Sequence, residues 1–418
     1  MMPSDPGMPA ILISARQVLT GPEREVINGG AVVVTDGRIT AIGGRDGLLH
    51  DVPEAVELAF PAHTLLPGLI NAHVHLAFDP GEEPAARLQA DGDPVALALT
   101  MASHARQLLD VGVTTARDLG DRDGLAIRVR DAIAMGSTAG PRLLVAGAPI
   151  TPPGGHCWYL GGVVEGEAQI RQRVRDNAAA GVDVIKVMAS GGQTTPGGAG
   201  MSESQFSTCE LAALVEEAHG LGLSVAAHAH GLASIDSAIA AGVDTIEHCT
   251  FLAGPGRFEP SEELAARIVA KGIAVCPGSS GNWRALARKI GADRAYALVG
   301  RTKWLADRGV RVITGTDAGL SAFDDFPIAL RRYLDFGFRP EQVIAAATVE
   351  AAAGLGLAGI TGRLAAGFDA DLLVVAGDPR TDLTALADPV LVMARGRMHL
   401  PPGSVMRIAH RPPVGHDY

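Results

Sequence analysis

Leu66-Pro67-Gly68-Leu69-Ile70-Asn71-Ala72-His73-Val74-His75-Leu76 is the stretch that decides how this chain is read. Side chains on a β-strand alternate between faces, so His73 and His75 point the same way while Val74 points into the opposite layer. A strand of Leu, Ile and Val has little reason to place two imidazoles on one face unless they bind something. Neutral imidazole is the commonest transition-metal ligand in proteins, so the pair reads as a bidentate metal clamp. Two hydrogen-bonded core histidines are the plain alternative for His-x-His taken alone.

Four later segments share one pattern, an apolar run ending in a polar residue able to bind metal or move a proton. They are Asp183 to Met188 with Lys186, Ser224 to Gly231 with His228 and His230, Val243 to His248, and Val312 to Gly319 with Asp317. Each reads as a buried parallel strand with its chemistry near the C-terminal end. Singly, these polar residues have ordinary roles as a snorkelling lysine, a core histidine or a helix cap. With the clamp they amount to four histidines, a lysine and an aspartate in one order.

The chain divides by hydrophobic period. Residues 1–66 carry short strands such as Ala10 to Ile13 and Gly30 to Val34, with Asp36-Gly37 as a hairpin turn. From 67 to 358, strand-like runs alternate with Ala-rich segments of helical period, for example Glu210 to His219 ahead of Gly220. Eight strands are predicted there: Leu69 to His75, Val113 to Arg117, Leu143 to Gly147, Val184 to Met188, Ser224 to His228, Thr245 to His248, Ile273 to Cys276 and Val310 to Thr314. Repeated βα units of this number predict an α/β fold, a (β/α)8 TIM barrel. Residues 359–418 return to short strands, Asp371 to Val375 and Val390 to Arg397, and should complete a small β-sandwich domain built from both chain ends. The glycine-rich stretch Gly191 to Gly200 reads as a mobile loop.

Composition suits a globular enzyme: 418 residues, 47% hydrophobic, 52 glycines and only 4% aromatic. A formal net charge of −11 without a basic run argues against nucleic acid as partner. Cys157, Cys209, Cys249 and Cys276 form no close pair or zinc-knuckle spacing, so a reducing cytoplasm is the expected compartment. The start Met1 to Gly7 has no basic, apolar leader pattern, and no stretch approaches the ~18 apolar residues of a membrane span, so neither signal peptide nor membrane is expected.

The order His73-x-His75, Lys186, His228, His248, Asp317 resembles the metal-dependent amidohydrolase superfamily, over nearly the whole chain. Pro67 to His75 is among the more diagnostic strings of that superfamily, and Gly362 to Leu372 is similar to its return to a small β-domain. Lys186 together with the loop Gly154-Gly155-His156 resembles the branch of binuclear zinc dipeptidases, carboxypeptidases, N-acyl-amino-acid hydrolases and mycotoxin amidases.

In such barrels the active site sits at the C-terminal ends of the strands, where scattered ligands become one shell. The resemblance implies two Zn²⁺ per chain, one held by His73, His75 and Asp317 and the other by His228 and His248. Lys186 would bridge both ions, which requires that carbon dioxide convert it to a carbamate, since an ammonium cannot ligate a cation. A hydroxide generated on the metals would attack the carbonyl, and Asp317 would orient it, take its proton and deliver that proton to the leaving amine. His156 and His230 would contact the substrate's carboxylate or carbonyl oxygen; relatives often carry tyrosine at the latter place. Arg117 and Asp118 read as salt-bridged or supporting groups.

These readings converge on a hydrolase that cleaves an amide next to a C-terminal carboxylate of a small molecule or short peptide, working as a homo-oligomer. The alternatives are a cyclic-amide, lactone or organophosphate hydrolase with the same metals, a mononuclear imidazolonepropionase-like enzyme that Lys186 counts against, and a non-catalytic barrel scaffold.

Overall fold

The computed structural model describes residues 9–21, 26–81, 83–90, 92–278, 288 and 291–404. Residues 1–8 and 405–418 of the expected end domain, with the expected leaderless start, lie outside the described residues. Strands run in chain order as β1 (Ile11–Leu19), β2 (Val26–Asn28), β3 (Gly30–Thr35), β4 (Arg38–Gly44), β5 (Val56–Pro67) and β6 (Leu69–Val74). They continue as β7 (Val113–Asp118), β8 (Arg142–Val145), β9 (Val184–Met188), β10 (Ser224–Gly231), β11 (Thr245–Gly254), β12 (Arg257–Phe258) and β13 (Ala274–Cys276). The last three are β14 (Leu372–Ala376), β15 (Pro389–Ala394) and β16 (Arg397–His399).

Both chain ends contribute to one eight-stranded sheet, in the order β16-β15-β14-β5-β1-β3-β4 with β2 on β1. The Asp36-Gly37 turn joins β3 to β4 with both residues at positive φ, 49° and 77°, the twist that matches a two-residue hairpin. Alternation gives the C-terminal strands two apolar faces. Leu372, Val374, Leu391 and Met393 pack with Ile13, Val32, Leu58 and Leu65 inside this part of the molecule. The intervening Leu373, Val375, Val392 and Ala394 join the main core of the chain. A strand buried on both sides needs such a continuous apolar run.

Between these ends, strands and helices alternate in a mixed α/β arrangement. The helix Thr208–Gly220 begins two residues before the periodic run because Ser207 and Glu210 form a capping box. Strands β6-β7-β8 make one parallel sheet, and β9, β10, β11 and β13 run parallel in another, with β12 antiparallel on β11. Among the described residues the two do not close into a single ladder; isolated contacts link them. Ile150 N donates to Lys186 O at 2.8 Å, Ile313 N to Val275 O at 2.9 Å, and Ala72 N to Thr314 O at 2.8 Å.

The expected eighth strand, Val310 to Thr314, is not a regular strand: it keeps one bridge, between Val312 and Val275, and the hydrogen bonds Val275 N to Arg311 O, Ile313 N to Val275 O and Ala72 N to Thr314 O. The reason is competition for its hydrogen bonds. Thr314 N donates to Ala346 O, and its hydroxyl lies within hydrogen-bonding distance of both Ile70 O and Ala346 O, so a helix end takes the place of a ladder neighbour. Among the described residues no helix is long and apolar enough to cross a membrane.

Candidate metal centre

His73 lies on β6 and His75 just beyond it, Lys186 on β9, His228 and His230 on β10, and His248 on β11. Asp317 follows the irregular Val312 segment, and His156 lies in the loop after β8. All eight line one cavity of about 280 Å³, together with Phe78, Cys157, Met188, Met201 and Leu320. Strands β9, β10 and β11 are neighbours in one sheet and β6 lies in the other, yet their side chains, distant in sequence, line the same cavity.

Three ligand atoms converge closely. His73 Nε2 is 3.3 Å from His75 Nε2 and 3.3 Å from Asp317 Oδ1, and His75 Nε2 is 3.5 Å from that same oxygen. Tetrahedral zinc with metal–nitrogen distances near 2.0–2.1 Å has ligand–ligand edges of about 3.3–3.4 Å, so the triangle has the size that such an ion requires. The tautomers agree. His75 Nδ1 is 3.1 Å from the Gly120 carbonyl, an acceptor only, so Nδ1 carries the proton and Nε2 the lone pair. His73 Nδ1 sits 3.0 Å from Glu247 Oε2, so the ring turns its Nε2 toward His75 and Asp317. His228 is reversed, since its Nε2 lies 3.1 Å from Gly191 O and its Nδ1 is the available ligand.

Burial holds His75, His156, His228, His230 and His248 neutral. It lowers His75 to about 4 against the pull of Asp317, brings His156 to about 4 with help from Lys186, and pushes His228, His230 and His248 well below the ordinary histidine value. Lys186 is 1% exposed, its pKa is lowered by burial, and its Nζ has no hydrogen-bond partner among the described residues. An orphaned buried amine is costly unless something else occupies its surroundings.

The backbone at the site is strained. His248, Cys249 and Asp317 have φ of 68°, 49° and 57°, a left-handed region costing non-glycine residues roughly 1–3 kcal/mol and often found at functional positions. Gly315 lets the Asp317 segment approach: a Cβ there would overlap the Cys276 sulfur and lie 2.8 Å from the His73 Cβ.

Two supporting residues escape sequence reasoning. Glu247 accepts from Arg117 Nη2 at 2.7 Å and from the Thr245 hydroxyl at 2.8 Å while facing His73. Burial raises its pKa, but Arg117 and His73 reverse this and hold it below the ordinary carboxylate value. The sign of Glu247 was visible only as a second polar residue beside His248 on an apolar strand. Arg301, 6% exposed, donates to the carbonyls of His248 and Cys249, both at 2.9 Å, and so braces the strained turn. Nothing in its helical segment marks it. His73, Glu247 and Cys276 also group closely enough for a metal, but the guanidinium on Glu247 opposes a cation there.

Other readings resolve simply. Arg117 is the buried partner of Glu247, and Asp118 accepts from Leu76 N at 2.7 Å and Gly120 N at 3.1 Å. The stretch expected as a mobile loop, 191–200, is tied down: Gly191 N donates to Glu203 O, Cys157 N donates to the Thr195 hydroxyl, and Gln193 and Thr194 line the cavity.

Comparison with known proteins places the chain in a family. Over residues 64–398 the sequence matches the Amidohydrolase family. It is 28% identical over 407 residues to an ochratoxinase of Aspergillus niger, covering 88% of this chain and 82% of that protein. It is 25% identical over 439 residues to an imidazolonepropionase of Symbiobacterium thermophilum, covering 95% and 98%. A solved Xaa-Pro dipeptidase with methionine bound in its active site matches with a TM-score of 0.82 at 28% identity, over 94% of this chain and 100% of that one. The chain belongs to the amidohydrolase family, hydrolases that act on carbon–nitrogen bonds.

Proposed function

We propose that this protein is a binuclear metal-dependent hydrolase that cleaves an amide bond adjacent to a C-terminal carboxylate, as a dipeptidase, carboxypeptidase or N-acyl-amino-acid hydrolase. The observation that carries this reading is the His73, His75 and Asp317 triangle beside the unpartnered Lys186 amine. The similarity to an ochratoxinase and to a dipeptidase supports the choice of amides.

In this reading residues 67–358 form a (β/α)8 TIM barrel, and 1–66 and 359–418 a β-sandwich domain. His73, His75 and Asp317 would hold one zinc ion and His228 and His248 the second, and Lys186, once converted to a carbamate, would supply a ligand to both. Burial favours that modification, because a lysine with a lowered pKa has more of the neutral amine that can attack carbon dioxide and release its proton. Bound zinc supplies Lewis acidity, bringing the pKa of water toward about 7 and polarising a carbonyl. Asp317 takes a proton from the water and returns it to the leaving nitrogen, a poor leaving group unless protonated. His156 and His230 face the substrate. The alternative, hydrolysis of a cyclic amide, rests on the similarity to an imidazolonepropionase.

Elemental analysis after supplying zinc and bicarbonate, paired with a screen of dipeptides and N-acyl amino acids, tests the proposal. About two zinc ions per chain and hydrolysis of a free-acid amide are expected. At most one ion refutes the binuclear centre.

A further inference from the structure

His230 lines the cavity, is 7% exposed, and has a hydrogen-bonding pattern that the chemistry above leaves unused. Its Nδ1 lies 2.9 Å from the Thr250 hydroxyl oxygen, and that hydroxyl donates to the His230 main-chain carbonyl at 3.0 Å. A carbonyl oxygen only accepts, and threonine has one hydroxyl proton. The proton is thus committed to the carbonyl, and the Thr250 oxygen meets Nδ1 with a lone pair. Nδ1 must then carry the ring hydrogen, which leaves Nε2 of the neutral ring bare.

A bare Nε2 can take a metal or an N–H. The rings of His230 and His248 are stacked, 4.6 Å apart and inclined by only 14°, so their in-plane lone pairs run side by side instead of meeting at one ion. The ligand atoms of His228, His230 and His248 lie close enough to hold an ion, but the near-parallel rings of His230 and His248 do not aim their lone pairs at one point. A carboxylate or carbonyl oxygen would set lone pair against lone pair. An N–H is the complementary group.

We propose that His230 accepts a hydrogen bond from the N–H of the substrate's amide, and that the enzyme therefore favours secondary amides over tertiary ones such as prolyl bonds. This rests on the reading of the chain as an amide hydrolase. Hydrolysis breaks the C–N bond, forms a C–O bond with water oxygen and gives the nitrogen one more proton; the N–H held by His230 stays on that nitrogen throughout. A tertiary amide brings carbon to Nε2 and leaves the buried acceptor without a partner.

The test is long-range ¹H–¹⁵N NMR of histidine-labelled protein, metal-free and zinc-loaded, with His230 assigned from a His230→Gln sample. A protonated Nδ1 and an unprotonated, metal-free Nε2 are expected in both states. Thr250→Ser should keep this pattern and Thr250→Val should lose it. A protonated Nε2, or an Nε2 resonance that moves to the metal-bound range on zinc loading, overturns the proposal. Glycyl-L-phenylalanine should shift Nε2 toward its hydrogen-bonded value while glycyl-N-methyl-L-phenylalanine should not. Wild type should hydrolyse the first with kcat/KM at least ~10-fold higher, a ratio that shrinks toward one in Thr250→Val. Equal shifts or equal rates in wild type refute the preference. Zinc uptake in the same samples reports on the metal centre separately. If zinc is not bound or neither dipeptide is cleaved, the proposed function fails, while the spectra still decide the His230 assignment.

Discussion

Replacing Glu247 with alanine removes the acceptor at the centre of a buried network. Arg117 Nη2 at 2.7 Å and the Thr245 hydroxyl at 2.8 Å lose their partner, and His73 Nδ1 loses the carboxylate 3.0 Å away. Arg117 is 2% exposed, so its charge stays inside. Removing one member of a buried ion pair costs about 3–5 kcal/mol. Arg117 keeps Ala72 O at 2.8 Å and the Thr245 hydroxyl at 3.1 Å, which places the expected loss near the lower end, about 3 kcal/mol. Denaturant unfolding of metal-free protein measures this apart from any metal. The double variant Arg117→Met with Glu247→Leu, which removes the charge with its partner, should recover more than half of the loss. The pair also has a pH signature. Glu247 titrates lower folded than unfolded, so its stabilisation is complete above the unfolded value of ~4.3 and is lost progressively as pH falls below it. A Glu247→Ala loss under about 1 kcal/mol at pH 7 would show that the network contributes no such stability.

Asp317→Asn keeps the side chain's size but removes the proton acceptor, so turnover should fall at least ~10²-fold; steady-state kinetics within a few-fold of wild type would remove it from the mechanism. His156→Ala should lower kcat/KM for a free-acid amide by about 1–3 kcal/mol and much less for a neutral ester, with zinc content unchanged; equal losses on both would mark a structural role. The buried histidines make metal-free protein acid-sensitive. His75 and His156 titrate near 4 when folded, below the ordinary ~6.5, so the unfolded chain binds protons first as pH falls. Stability should be complete above about 6.5 and fall toward pH 4 by at least ~1.4 kcal/mol per pH unit; a flat profile from unfolding at stepped pH would contradict that burial.

Much of the architecture was legible because β6, β9 and β10 announce themselves by apolar runs with abrupt polar ends. Val184–Met188 was delimited to the residue, and β6 to within one. The Val310 to Thr314 run has the same composition and failed as a strand, since hydrogen bonds to Ile70 and Ala346 lie far from it in sequence and no local pattern encodes them. The candidate ligands were readable as chemistry, a histidine pair or an aspartate after a strand. Glu247 and Arg301 were not, because each matters through partners that only folding supplies, Arg117 and His73 for one and two backbone carbonyls for the other.

Strand β14 pairs with β5 from Leu372 opposite Pro67 to Ala376 opposite His63, next to the start of the histidine-bearing β6. During synthesis from the N-terminus, β5 leaves the ribosome some three hundred residues before β14 exists, and even His248 precedes β14 by more than one hundred. Until then one edge of β5 is an unpaired, apolar strand edge of the kind that recruits other chains. A nascent chain stopped before residue 372 would hold every candidate ligand and still lack the neighbour that covers this edge. Chaperone demand and aggregation should therefore peak late in translation, and C-terminal truncations should fail by insolubility before they fail by loss of metal.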